Sequence, residues 1–97
     1  MRIRAILLQP VDKVVTVVDD VHAGDTVFYQ KEGQEVEVEA REEVPAFHKV
    51  AVVDLKDGEE VIKYGQVIGA MMSDAKKGDW ISHKNVRSLP RNYDEEC

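Results

Sequence analysis

The chain has 97 residues, 43% of them hydrophobic and 33% charged, and its 19 acidic against 13 basic side chains give a formal charge of -6. That length suits one domain with one modest core, burying roughly 60–65% of what the unfolded chain exposes, and leaves little room for a cleft walled on every side. The acidic balance and the scatter of the basic residues exclude a basic patch for phosphates, and with it a nucleic-acid partner.

At the N-terminus, Arg2 and Arg4 lead into Ala5-Ile6-Leu7-Leu8 and then Gln9-Pro10, an apolar run too short for the core of a signal peptide. No stretch approaches the roughly 18 apolar residues of a membrane-crossing helix. The lone cysteine, Cys97, has no partner for an internal disulfide, which fits a reducing compartment. A cytoplasmic protein without membrane contact is the expectation.

Going along the chain, one pattern recurs. Asp20-Val21-His22-Ala23-Gly24-Asp25-Thr26-Val27 has the form D-x-x-x-G-(D/E)-x-(V/I). Asp54 to Val61 and Asp74 to Ile81 repeat it, and each copy follows a β-branched or apolar run such as Val14-Val15-Thr16-Val17-Val18. The aspartate can accept backbone amides as the strand ends. Gly24, Gly58 and Gly78 can take the positive φ that closes a turn. The acid after each glycine is expected to stay solvated. Each copy therefore reads as strand, tight turn, strand, with a structural role.

Thr26-Val27-Phe28-Tyr29 and Glu35-Val36-Glu37-Val38-Glu39-Ala40-Arg41 flank the turn Lys31-Glu32-Gly33-Gln34 and read as a hairpin, with Val36, Val38 and Ala40 inward. Arg41-Glu42-Glu43-Val44 suits one helical turn, stopped by Pro45. Tyr64-Gly65 suggests a bend. Residues 1–90 are expected to form one domain and 91–97 a charged tail. Sequential hairpins with almost no helix predict a compact all-β fold.

Nucleophile-elbow, phosphate-loop and dinucleotide signatures are absent, as are CxxC and HExxH metal patterns. The titratable residues to weigh are His22, His48 and His83, with Lys49, Lys63, Tyr64 and Lys84. His48 stands where a loop enters a strand, a place from which an imidazole can reach out as acid, base or ligand; the plain alternative is a surface residue packed on Phe47. Lys49 points to the other face if the chain is extended, whereas a kinked junction would bring both cations to one anion. His22 reads as an incidental substitution at the place of Leu55 and Ala75, and His83 as a solvated strand-end residue.

The run Phe47-His48-Lys49-Val50-Ala51-Val52-Val53-Asp54-Leu55, followed by Gly58-Glu59-Glu60-Val61-Ile62-Lys63-Tyr64-Gly65-Gln66-Val67-Ile68-Gly69, resembles the SAF domain of the altronate and galactarate dehydratases. That family's pattern runs GHK-V-A-L, D-I, G-E-x-V-x-K-Y-G-x-x-I-G, and ends on an H-x-H-N-V-like strand. The resemblance spans Val14 to Ser88 and extends to the small subunit of sulfolactate sulfo-lyase. Two places differ: Phe47 replaces a glycine, and Ser82-His83-Lys84-Asn85 keeps the asparagine but places neither histidine.

The resemblance implies a β-clip fold and a small subunit of a sugar-acid hydro-lyase, inactive alone, whose site a large catalytic subunit completes. It implies His48 as the catalytic proton-transfer group, Lys49, Tyr64, His83 and Asn85 on the substrate, and a divalent metal, commonly iron, held mostly by the large subunit. A homo-oligomer stays open. Two alternatives remain: a non-catalytic SAF binding module, and a biotinyl or lipoyl carrier, suggested by Gly58-Glu59-Glu60-Val61 followed by Gly65-Gln66-Val67-Ile68.

Overall fold

Two heavy atoms on Cβ stiffen a side chain and suit it to a pleated surface. Val14-Val15-Thr16-Val17 is such a run, and it forms a strand whose three valines are at or below 1% exposure. The computed structural model describes residues 1–82 and 84–87. Among them the strands are β1 (Arg2–Ile6), β2 (Val14–Val17), β3 (Thr26–Lys31), β4 (Gln34–Glu39), β5 (Lys49–Ala51), β6 (Glu60–Lys63), β7 (Gln66–Met71), β8 (Trp80–Ile81) and β9 (Val86–Arg87). One sheet has the order β4-β3-β1-β2-β5-β8 and the other β6-β7-β9. The all-β expectation holds. No helix of the described residues is long and apolar enough to cross a membrane. The tail at 91–97, with Cys97, lies outside the described residues.

The expected β3–β4 hairpin forms, with Val27 opposite Val38 and Tyr29 opposite Val36. Glu32 (φ 52°) and Gly33 (φ 84°) make its tip. Positive φ at both central residues matches the twist of the flanking strands. Tyr64 (φ 59°) and Gly65 (φ 72°) repeat the device between β6 and β7, so the expected bend is a hairpin tip. The sequence reading passed over β1. Its short alternation is weak alone, and it is fixed by parallel pairing with β3 and antiparallel pairing with β2.

The repeated turns are not hairpin loops. The first carries the chain from β2 to β3, which are separated by β1, and the later ones cross between distant strands or between the two sheets. The expected helical turn at Arg41-Glu42-Glu43-Val44 does not form, because this segment opens a fourth copy of the same turn, ending at His48-Lys49-Val50. Its backbone bonds match the others. The sixth residue donates its amide to the third residue's carbonyl in every copy: Asp25 to His22, His48 to Pro45, Glu59 to Lys56 and Asp79 to Lys76.

The copies pair reciprocally. Val21 bridges Val44 and Leu55 bridges Ala75, all four buried. Val21 is thus the counterpart of Leu55 and Ala75, and His22 aligns instead with Lys56 and Lys76, which corrects the sequence alignment. Each fifth-residue amide donates to the strand end that enters its mate: Gly24 to Ala40, Phe47 to Val17, Gly58 to Met71, Gly78 to Ala51. The copy-opening aspartates likewise serve the mate rather than their own strand. Asp20 accepts from the amide of Ala46, Asp54 from Lys77 and Asp74 from Asp57, at 2.8–2.9 Å.

Two cores result. One lies on a face of the larger sheet around Val17, Val27, Val38, Val44 and Val50. The other joins the two sheets around Val14, Ala51, Leu55, Val61 and Ile81. Asp12 ties the loop before β2 to the second hairpin: its buried carboxylate accepts the amides of Tyr64 (2.9 Å) and Gly65 (2.8 Å). Asp12→Ala leaves both amides without this acceptor and should cost about 1–3 kcal/mol, read as a lower urea midpoint at unchanged slope.

Candidate functional site

The third and sixth positions of each turn normally work as a pair. Asp25 accepts the amide of His22 (2.9 Å), Glu59 that of Lys56 (3.0 Å) and Asp79 that of Lys76 (2.8 Å). The acids expected to stay solvated are therefore turn formers. The His22 amide holds the Asp25 carboxyl below its ordinary range. Glu59 is held down first by Lys13, 2.8 Å away, and then by the Lys56 amide.

The fourth copy, at residues 43–50, breaks this pair at both ends. Pro45 has no amide hydrogen to give, and His48 replaces the acid that would take it. The turn keeps its backbone bonds without using the His48 side chain. Phe47 fills the glycine position of the turn with φ 69° and stays 76% exposed. A left-handed Phe costs roughly 1–2 kcal/mol, so this turn stands out from its three relatives at positions 45, 47 and 48 together.

The His48 side chain is exposed, and its ring meets Trp80 edge to face, with centroids 5.4 Å apart and planes at 85°. Trp80 pairs with Val50 and packs on the first core. Its Nε1 is buried and has no hydrogen-bond partner among the described residues. Pro45 and Trp80 also line an open depression of about 310 Å³ with Asp20, His22 and Glu43.

Lys49 goes the other way. It lies opposite Thr16 in β2 and Ile81 in β8. Directly paired residues share a face, and Ile81 belongs to the core between the sheets. His48 and Lys49 therefore occupy two sides of the end of β5, as an extended chain requires, and not the one side that a kinked junction would give. Lys49 is half-buried, and burial, then the charge of Lys63, pushes its ammonium below the usual lysine range. Lys63 sits 5.0 Å over the ring of Tyr64, which is exposed at the hairpin tip.

Lys63 thus stands over Tyr64, and its charge acts on Lys49. The sequence reading weighed Lys63 but did not place it on the substrate. Its signal was present in the Lys63-Tyr64-Gly65 element. Asn85, expected on the substrate, is bonded within its own turn. Its side chain accepts the Ser82 amide (2.7 Å) and donates to the Trp80 carbonyl (2.9 Å), so it forms the turn after β8. His83 lies outside the described residues.

Among the described residues no group of three or more His, Cys, Asp or Glu side chains could hold a metal ion. The described part of the chain does not fit the metal that the resemblance implies. Nor does either described hairpin tip, Glu32-Gly33 or Tyr64-Gly65, present a lysine between methionines as a carrier domain would.

These features define an all-β domain with one modified turn at the mouth of a strand. The chain belongs to the altronate/galactarate dehydratase SAF domain family, whose model matches residues 3–89. It is 32% identical over 76 residues to the alpha subunit of (2R)-sulfolactate sulfo-lyase from Chromohalobacter salexigens, covering 76% of this chain and 81% of that one. The same subunit from Paracoccus pantotrophus is 41% identical over 49 residues, covering 50% of this chain and 73% of that one. Galactarate dehydratase (L-threo-forming) of Escherichia coli is 39% identical over 49 residues, half of this chain but only 9% of that enzyme.

Proposed function

We propose that this chain is the small subunit of a hydro-lyase acting on a sugar acid or a related hydroxy acid, and that it supplies one wall of a site completed by a large subunit. Membership in a dehydratase domain family supports the reaction class. Similarity to proteins named as alpha subunits supports a partner chain. The observation that carries the reading is the fourth turn, at residues 43–50, where Pro45 and His48 replace the amide–acid pair used by the other three copies. This leaves an imidazole at a rigid strand entrance with no part in holding the turn.

Dehydration takes a proton from the carbon next to a carboxylate and expels hydroxide from the neighbouring carbon. Removing the proton places extra negative charge on the carboxylate, which a nearby cation stabilises. In this reading the substrate lies across the end of β5. His48 moves the proton on one side, and Lys49, with Tyr64 beside it, holds the carboxylate on the other. The divalent metal implied by the resemblance would belong to the large subunit's residues, and none of these steps runs through it.

The experiment is reconstitution. Neither purified chain should dehydrate galactarate or altronate alone, and the mixture should dehydrate one of them. Turnover by the small chain alone overturns the reading and makes it a complete enzyme; equal turnover by the large chain without it overturns the reading and leaves a binding module.

A further inference from the structure

An exposed imidazole at the end of a turn is free to sample several rotamers, whereas proton transfer needs one of them. Among the described residues the His48 imidazole makes no hydrogen bond or ion pair. The interaction that holds it is the edge-to-face contact with Trp80, 5.4 Å between ring centroids.

That contact follows from the sheet. Trp80 in β8 lies directly opposite Val50 in β5, and both pack in the first core. His48 stands two residues before Val50, so alternation puts its side chain on the same side, diagonal to Trp80. Aromatic rings reach across such a diagonal.

Trp80 is itself fixed. Its amide donates to the Glu42 carboxylate at 3.0 Å, and its carbonyl accepts the Asn85 side chain at 2.9 Å. Glu42 lies just ahead of the turn that carries His48, so both ends of this turn are tied to one residue. The indole N–H has no part in the arrangement. It is buried without a partner among the described residues, and so adds a desolvation cost and no bond. What the position uses is the aromatic ring.

We propose that Trp80 is the positioning residue for His48: its ring fixes the imidazole in the orientation from which it moves the proton, and Glu42 and Asn85 fix Trp80 in turn. The inference rests on the proton-transfer role given above to His48 and adds the group that aims it.

The test compares Trp80→Leu, Trp80→Phe and His48→Ala in the reconstituted enzyme. Trp80→Leu should lower kcat about 10- to 100-fold with KM little changed, the effect of a misaimed group and not of lost binding. Trp80→Phe keeps a ring and drops the unpartnered donor, so it should recover most of that loss. In the His48→Ala assembly Trp80→Leu should cause no further loss, because a residue acting through the imidazole then has nothing to act on. NMR of the histidine-labelled full chain supplies a readout apart from turnover. The ring protons of His48 should be displaced from their free-histidine positions by the indole ring current, and should return to them in a folded Trp80→Leu chain. Unchanged kcat in Trp80→Leu, an equal further loss in the His48→Ala background, or free-histidine signals in the unmutated chain overturns the proposal. The last of these decides it even where Trp80→Leu does not fold. A Trp80→Leu assembly that turns over normally while His48→Ala does not would sink this inference alone. Turnover indifferent to His48→Ala would sink the proton-transfer reading and this inference with it.

Discussion

Replacing His48 with alanine should lower the turnover of the assembled enzyme by about 10²- to 10⁴-fold, the usual contribution of a positioned proton-transfer group. Folding should survive, because the turn holds its shape through backbone bonds that do not involve the imidazole: His48 N–H to Pro45, Phe47 N–H to Val17, and Val17 N–H to the His48 carbonyl. The main folded-state loss is the edge contact with Trp80, worth on the order of 1 kcal/mol. Stability and rate should therefore separate. A variant whose urea midpoint barely moves while its turnover collapses fits a catalytic imidazole. Unchanged turnover would make His48 a surface residue.

Gly78→Val should have the largest effect on stability. Gly78 has φ 97° and is buried, and a Cβ added there would overlap the carbonyl oxygen of Glu39, with the Arg41 side chain at 3.1 Å. The same glycine donates its amide to Ala51 and accepts the amide of Arg41, so its backbone cannot move without breaking the junction between two turn copies. Left-handed strain and overpacking together predict a loss of about 3–5 kcal/mol, much of the margin of a domain this size. Gly58 supplies the control. Its φ is 86°, but nothing lies within 4 Å of its Cβ position. Gly58→Val should cost only the conformational strain, about 1–2 kcal/mol. Equal urea midpoints for the two variants would contradict the assignment of steric contact at Gly78.

Three of the four turns were legible because glycine and the following acid report the backbone directly. Positive φ selects glycine, and a free amide at the third position selects a carboxylate at the sixth. The fourth turn escaped because Pro45, Phe47 and His48 replace all the diagnostic residues at once. What remained, Val44 at the bridge position and Val50 at the return to the core, is too common to notice unaided. The pairing of the copies was also hidden. Asp20, Asp54 and Asp74 cap turns 17 to 26 residues away, and local sequence gives no hint of which amide they meet.

The site was partly legible for a similar reason. His48, Lys49 and Tyr64 stood out within a recognisable run. Their separation onto two sides of β5 follows from strand alternation, which a sequence shows only once the strand's start is fixed. Asn85 looked like a substrate ligand because its neighbours match the family pattern, while its bonds to Ser82 and Trp80 depend on the turn after β8.

The most direct measurement runs the reconstituted enzyme in deuterium oxide and follows the hydrogen on the carbon next to the carboxylate in recovered substrate. With His48 present, deuterium should enter that position during turnover, and His48→Ala should abolish the exchange while substrate binding and subunit assembly persist. Exchange at the same rate in the His48→Ala assembly would show that another group moves the proton, and would contradict the role given to this turn.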